Sequence, residues 1–414
     1  MSDKRVDPDD GAAYTWEEFS AYYKGKYKKK AVEEYWEECK PVKKGKAKAK
    51  AKGAGKGAAA EPKAKAKVKA EPKAKAKAKA KARKPPGAFK VCVCGGAGGI
   101  GQPLSMFMAL DPNVKELSVF DLNIAMVPPA GVAADLGHLD KKSEVKGYVA
   151  EVGKPAVTEL DAECLKGCNL VLIPAGMPRK PGQTRDDLFK VNADIAKGLV
   201  EACAKHCPDA IIALIVNPVN SIVPAMAELY KKKGLDPMKI VGVTTLDCVR
   251  ASKFVGQITG KNPNFINVPV IGGHAGVTIM PVFSQDKTAA TIDADKIAEL
   301  DKRVQDAGTE VVNAKNGKGS ATLSMGYAGA RLGRSILAGL AGRRRVECAY
   351  VKSDITDLPY FTSKVVFGEN GVQKVLPIGE LNEYETKRLD EAKAALKAEI
   401  ETGTKYAEAN ELNC

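Results

Sequence analysis

The chain has 414 residues, 44% of them hydrophobic, with a formal net charge of +15. That length exceeds one domain's usual share and can bury a sizeable core, while no apolar run reaches the roughly 20 residues a membrane-spanning helix requires. The charge says little about any globular substrate: residues 41–88 hold eighteen Lys or Arg against two Glu, leaving residues 89–414 at +1 and residues 1–40 at −2.

Residues 1–40 read as a short aromatic module. Both tryptophans (Trp16, Trp36) and five tyrosines lie there. Thr15 and Glu18 form a capping-box pattern that opens a helix. Trp16, Phe19, Tyr23 and Tyr27 recur at helical spacing; Val32, Tyr35, Trp36 and Cys39 recur about half a turn away. Two short helices with a break near 28–30 fit this better than one rod. Asp3, Asp7, Asp9 and Asp10 are unlike an acid-poor transit peptide. No secretory signal is expected, and the C-terminal Glu-Leu-Asn-Cys is not a peroxisomal address. A cytoplasmic and a mitochondrial location both stay open.

Residues 41–88 form a low-complexity Lys-Ala tract expected to be disordered, since it cannot bury enough apolar surface to offset chain entropy. Two readings stand side by side. One is an extended, self-repelling spacer; the other is a tether that binds polyanions non-specifically through counterion release. No aromatics are interleaved, so base stacking is not expected.

From residue 89 onward, strand and helix patterns alternate. Short apolar runs at 89–94, 117–120, 170–173 and 211–216 have turn signals behind them, as in a doubly wound parallel sheet. Leu389, Ala392, Leu396 and Ile400 predict a closing amphipathic helix. The ten cysteines are scattered. Cys92 and Cys94 read as buried strand residues. Cys164/Cys168 and Cys203/Cys207 are one helical turn apart, and reduced buried thiols fit them better than metal ligands.

The first strand runs into GGAGGIG at 95–101. Gly96, Gly98 and Gly101 fit GxGxxG, and Gly95, Gly98 and Gly101 fit a GxxGxxG variant. Missing side chains let backbone N–H groups approach a pyrophosphate at a helix N-terminus. The second strand ends in Asp121, whose carboxylate can accept from an adenosine ribose, favouring NAD over its 2′-phosphate form. A structural glycine turn is the competing reading.

Arg179 and Arg185 lie on a Gly- and Pro-rich segment, PAGMPRKPGQTRDD. A guanidinium presents a planar fork that matches a carboxylate. The pair suggests a lid over a carboxylate-rich substrate; a solvated basic loop is the plainer alternative. Of the three histidines, His138 and His206 read as structural. His274, in IGGHAG, follows an apolar strand and is flanked by glycines. An imidazole titrates near neutrality, as a proton carrier must. Asp247 and Arg250, three apart, share one helix face and offer an orienting acid and a cation. Together these residues specify proton abstraction from a hydroxyl coupled to hydride transfer to a nicotinamide.

Residues 89 to about 410 carry, in order, the segments GGAGGIGQPLS, PAGMPRKPGQTRDDLF, VNPVNS, GVTTLDCVRA, NVPVIGGHAGVTIMP and GTEVVNAKNGKGSATLSMGYAGAR. They resemble the lactate/malate dehydrogenase family, in particular its mitochondrial and glyoxysomal malate-specific branch. The resemblance implies a Rossmann-type NAD-binding domain over 89–233, an α+β substrate domain over 234–414, and a homodimer or tetramer. It implies that His274 is the acid/base and Asp247 its partner. Arg250 would grip the C1 carboxylate, Arg185 polarise the reacting carbonyl, and Arg179 receive the distal carboxylate of malate or oxaloacetate. Asn217 would lie near nicotinamide and substrate. Ile100, Asn192, Val216 and Met325 would be further cofactor contacts beside Gly95, Gly98, Gly101 and Asp121. Another 2-hydroxy acid is the rival substrate, and a polyanion-tethered binding protein the rival function. Two departures stand out: the chain is about three residues longer between Asp121 and Gly131, and residues 1–88 have no counterpart.

Overall fold

The computed structural model describes residues 5–6, 13–23, 33, 36–37, 39–41, 88–154, 162–177 and 185–414. The expected break near 28–30 and the Lys-Ala tract lie outside the described residues. Two compact units result, within residues 1–77 and 78–414.

In the first unit, Arg5–Val6 pairs antiparallel with both Ala13–Tyr14 and Lys40–Pro41. The helix Trp16–Tyr23 begins with the expected capping box: Glu18 N–H donates to Thr15 Oγ1 at 3.3 Å, and Thr15 N–H donates to Glu18 Oε2 at 2.9 Å. Phe19, Trp36 and Cys39 form a small buried core with Trp16 against it. Arg5 donates to the Trp36 carbonyl at 2.7 Å, with its guanidinium 5.4 Å from the Trp36 ring centre.

The second unit is built on an 11-stranded sheet. Its first half alternates β1 (Phe89–Cys94), α1 (Gly101–Ala109), β2 (Val114–Leu122), α2 (Pro129–Leu136), β3 (Glu144–Ala150), α3 (Ala162–Leu165), β4 (Cys168–Ile173), α4 (Arg185–His206), β5 (Ile211–Leu214), α5 (Val219–Lys232) and β6 (Ile240–Gly242). These strands are all parallel, in spatial order β3-β2-β1-β4-β5-β6. The order reverses beside β1, so its C-terminal end faces a crevice flanked by β2 and β4. Ligands bind at such a point in open α/β sheets.

The second half contributes α6 (Thr245–Thr259), β7 (Val270–Gly272), β8 (Ile279–Pro281), α7 (Ala294–Ala314), α8 (Leu323–Leu340), β9 (Arg345–Lys352), β10 (Tyr360–Gly368), β11 (Gly371–Val375) and α9 (Glu383–Ala409). Its strands are antiparallel and continue the sheet through a single β6–β9 pairing, Gly242 to Tyr350.

Side-chain alternation along β1 explains the layering. Val91 and Val93 point into a core shared with Leu104 and Met108 of α1 and Ile336 of α8. Cys92 and Cys94 point the other way, into a core with Val200 of α4, Ile222 of α5 and Leu396 of α9. A helix layer on each face is why these strands are apolar on both sides. Ala392, Leu396 and Ile400 of α9 are buried as their spacing predicts, and Leu389 packs beside them. Among the described residues, no helix is long and apolar enough to cross a membrane.

Candidate functional site

The glycine loop at 95–101 joins β1 to α1 in the crevice. Gly95 and Gly96 N–H both donate to the Phe120 carbonyl at 2.8 Å, and Ala97 N–H donates to Asp121 Oδ2 at 3.0 Å. Asp121 Oδ1 accepts from Leu122 N–H at 2.9 Å. Each carboxylate oxygen thus keeps a lone pair for another donor. A Cβ on Gly101 would sit 1.9 Å from the Gly95 carbonyl oxygen, so α1 packs directly onto the loop backbone. Gly95 has φ +90° and would press a Cβ to 2.8 Å from Ala175 N. Gly98 meets only the Gly95 oxygen, at 3.3 Å. No side chain caps the start of α1 at Ile100; Gln102 N–H donates back to the Gly98 carbonyl at 3.0 Å and Pro103 has no N–H, so the backbone N–H groups the loop offers an anion are those of Gly99, Ile100 and Gly101. The cradle therefore fits a dinucleotide pyrophosphate.

Asn217 is exposed just after β5, and Val216 is buried beside it. Asn192 on α4 is 1% exposed and fully engaged: Oδ1 accepts from Met177 N–H at 2.7 Å, and Nδ2 donates to the carbonyls of Met177 at 3.1 Å and Asn217 at 2.7 Å. It clamps the root of the arginine segment to the end of β5. Met325 is buried at the start of α8, where the neighbouring Gly326 would bring a Cβ to 3.0 Å from Leu104 N of α1.

His274, Asp247 and Arg250 come together. Asp247 and Arg250 lie one turn apart on α6, and His274 follows β7. His274 Nδ1 is 2.5 Å from Asp247 Oδ2, with the carboxylate fully buried and the imidazole side chain 11% exposed. Asp247 Oδ1 accepts no hydrogen bond among the described residues and lies 3.6 Å from Arg250 Nη1. Burial pulls the Arg250 guanidinium below its usual pKa, and Asp247 opposes that pull. Nε2 of the imidazole is the ring nitrogen left for chemistry. Arg179 lies outside the described residues; Arg185 opens α4, but its side chain lies outside them too.

The glycines around His274 have a concrete reason. Gly272 has φ +93° and a Cβ there would be 2.2 Å from the Thr278 carbonyl oxygen; at Gly273 it would be 2.6 Å from Asn220 Nδ2. Asn220 Oδ1 accepts from His274 N–H at 2.7 Å, and Thr278 Oγ1 accepts from Ala275 N–H at 3.0 Å. Sequence reasoning missed both braces. Asn220 sits in VNPVNS, three residues beyond the asparagine it singled out, and a second buried amide there was the available signal.

The other thiols are packing groups. Cys92 Sγ lies 3.7 Å from Cys94 Sγ and 3.6 Å from Cys164 Sγ, all buried. The hydrogen bond with Cys207 and then burial hold Cys203 well above the ordinary thiol pKa; at Cys92 the bond with Cys164 pulls down, but the bond with Cys94 and burial outweigh it. Among the described residues no group of three or more His, Cys, Asp or Glu is arranged to hold a metal ion. His138 is exposed, and His206 ends α4.

Comparison with known proteins adds independent findings. Residues 89–242 match the lactate/malate dehydrogenase NAD binding domain, and residues 244–407 match the alpha/beta C-terminal domain of the same group. The chain is 53% identical over 323 residues to the mitochondrial malate dehydrogenase of Citrullus lanatus, covering 78% of this chain and 90% of that one. It is 50% identical over 319 residues to the mitochondrial malate dehydrogenase of Sus scrofa, covering 77% and 91%. Among solved structures, apo malate dehydrogenase from Picrophilus torridus superposes with a TM-score of 0.68 at 26% identity, covering 78% of this chain and 99% of that one. A lactate dehydrogenase from Cryptosporidium parvum, with lactic acid and NAD bound, gives 0.63 at 25% identity, covering 78% and 99%.

Proposed function

The chain belongs to the lactate/malate dehydrogenase family, and from that premise we propose how its side chains carry out the reaction. The activity is the NAD-dependent interconversion of malate and oxaloacetate. Bound NAD supplies the hydride acceptor in one direction and the donor in the other. His274 takes the C2 hydroxyl proton at Nε2 during malate oxidation and returns it in reduction. Asp247 holds Nδ1 and stabilises the imidazolium that results. Arg250 grips the C1 carboxylate, and Arg185 polarises the C2 oxygen. Arg179 receives the distal carboxylate and so chooses a four-carbon diacid over a monoacid. Asn217 lies beside the reacting carbon.

Gly95, Gly98, Gly101 and Ile100 hold the pyrophosphate. Asp121 accepts from the adenosine ribose, Val216 and Met325 line the nicotinamide side, and Asn192 serves the cofactor from behind, its buried amide holding Met177 and Asn217 in place. Residues 89–233 act as the cofactor domain and 234–414 as the substrate domain. The observation that carries this reading is the His274–Asp247 pair at 2.5 Å with Arg250 beside it. A buried acid bridging an imidazole and a guanidinium suits a proton carrier beside a carboxylate anchor.

The test is NADH oxidation with oxaloacetate and with pyruvate, in the full chain and in Arg179→Gln. Losing one partner of a buried charge pair costs roughly 2–5 kcal/mol, so oxaloacetate kcat/KM should fall about 30-fold or more while pyruvate turnover is spared. Equal losses for both substrates would remove the discriminating role from Arg179.

Two features go further than the reaction. Met106 of α1, Leu110 just after it and Tyr327 of α8 are exposed, and Tyr327 packs edge-on against Phe107 of α1 at 5.9 Å. This apolar face supports a homodimer, checked by sedimentation of the full chain and of Leu110→Lys. Residues 41–88, with eighteen Lys or Arg, serve as a spacer that also binds polyanions non-specifically. Retention on heparin at low salt should disappear in a chain starting at Pro86.

A further inference from the structure

Asn220 opens α5 and is 1% exposed. Its side-chain amide has one acceptor oxygen and two N–H donors, and all are used. Oδ1 accepts from His274 N–H at 2.7 Å. Nδ2 donates to Thr278 Oγ1 at 3.1 Å and to the Glu399 carboxylate on α9. The Asn220 carbonyl accepts from Tyr350 OH at 3.1 Å. Thr278 spends its hydroxyl proton on the Ala275 carbonyl at 2.8 Å. A hydroxyl can rotate, however, and serve either end of a neighbouring amide. An ionised carboxylate only accepts. Glu399 is therefore the group that dictates which end of Asn220 faces the histidine. A reversed amide would set N–H against N–H at His274 and oxygen against oxygen at Glu399.

We propose that Glu399 is a positioning residue for the reaction, holding the Asn220 amide in the orientation that fixes the His274 backbone and, through it, the imidazole. This rests on the acid/base role proposed above for His274. The same helix grips the loop from its other end. Arg388 donates to the carbonyls of Val277 at 3.2 Å and Ile279 at 3.3 Å, and is anchored on Asp301 at 2.7 Å. A C-terminal helix that touches no reacting atom thereby sets where the proton carrier stands. Misplacing a reacting group by about 1 Å can cost about 100-fold, so partial loosening has a measurable price in turnover.

The test uses the full chain. Measurements are kcat and KM for oxaloacetate and NADH, the pH dependence of kcat/KM, and thermal unfolding. Glu399→Ala should lower kcat about tenfold and shift the ionisation seen in the pH profile, with the KM for NADH within about twofold of the parent. Glu399→Gln should recover kcat to within about threefold, because its amide oxygen can still accept from Asn220. Asn220→Asp alone places two carboxylates together. Combining it with Glu399→Gln reverses the donor direction and should recover at least about tenfold over the single variant. Parental kcat and pH profile in Glu399→Ala would overturn the proposal. So would Glu399→Gln as impaired as the alanine variant, or a double variant no better than Asn220→Asp. If Asn220→Asp does not fold, the Ala and Gln variants decide. Parent turnover of oxaloacetate and its loss in His274→Asn are read separately, so a null result at Glu399 falls on this inference alone.

Discussion

The loop after β1 and the loop after β7 are both glycine-rich turns at a strand end, yet they are held in different ways. The first is fixed by backbone: Gly95 and Gly96 bond to the Phe120 carbonyl, Ala97 bonds to Asp121, and α1 lies against the loop with no room for a Cβ at Gly101. Its hydrogen bonds come from residues 89–122, and what it meets from outside is close packing against Ala175 and Thr322. The second is fixed by side chains gathered from across the unit: Asn220, Asp247, Thr278, Arg388 and Glu399. A loop that presents backbone N–H groups to a phosphate can be self-contained. A loop that must hold one imidazole in register with a substrate needs supports on every side.

The strongest way to sharpen this contrast is His274→Asn. General acid–base catalysis contributes about 10²–10⁴-fold, so kcat should fall by about a thousandfold while NADH still binds. Fluorescence titration beside the turnover assay checks both halves, and lost NADH binding would show that the two loops are not separable. Gly101→Ala attacks the other loop. Overpacking of this kind costs about 1–3 kcal/mol. NADH affinity and thermal stability should both drop, with the pH profile of residual turnover unchanged. An alanine variant with parental affinity would mean the loop is not held by close packing.

Thr278→Val keeps the shape near His274 but removes the hydroxyl that serves Ala275 and Asn220. Leaving buried polar groups unpaired costs about 1–3 kcal/mol. The expected signature is lower kcat with an unchanged NADH KM. A change in NADH binding instead would assign this brace to the wrong loop.

The smallest effect involves a pair that belongs to neither loop. Glu228 accepts from Lys352 Nζ at 2.6 Å and Tyr360 OH at 2.7 Å. Burial alone would raise its pKa, but Lys352 and Tyr360 outweigh it and hold the carboxyl below its ordinary value. The stabilisation is therefore present above the ordinary carboxylate pKa of about 4.3 and fades as pH falls through the lower folded value. Lys352→Met should cost about 1 kcal/mol at pH 7 for this half-buried pair. That difference should shrink in urea unfolding at acid pH, with turnover per folded enzyme unaffected throughout.

Legibility followed the same division. The strand at 89–94 has the limits its sequence predicts, because Lys90 is the one interruption in its apolar run and glycines stop it. The next strand extends beyond the 117–120 run to Val114–Leu122, since Lys115 and Glu116 break the apolar pattern while the strand continues past a register shift at Lys115. The run at 211–216 ends as strand at Leu214, because Val216 already turns toward Asn217. Asp121, Asp247, Arg250 and His274 announced themselves by residue type and spacing. Asn220, Thr278, Arg388 and Glu399 did not. Each is an ordinary polar residue until another segment is laid against it. Glu399 in particular sits in a helix rich in glutamates with no local mark of difference.

By itself, then, the sequence determined the alternating strand–helix order, the glycine loop followed by an acid, and the residue types of the imidazole and carboxylate that the fold pairs. These depend on contacts within a few dozen residues, and short-range geometry is written in spacing. Only the tertiary structure decided which amide faces His274, what forbids a side chain at Gly273, and why α9 bears on the reaction at all. Those are matters of directional hydrogen bonds between segments far apart in the chain. Their partners exist only once the sheet has brought them together.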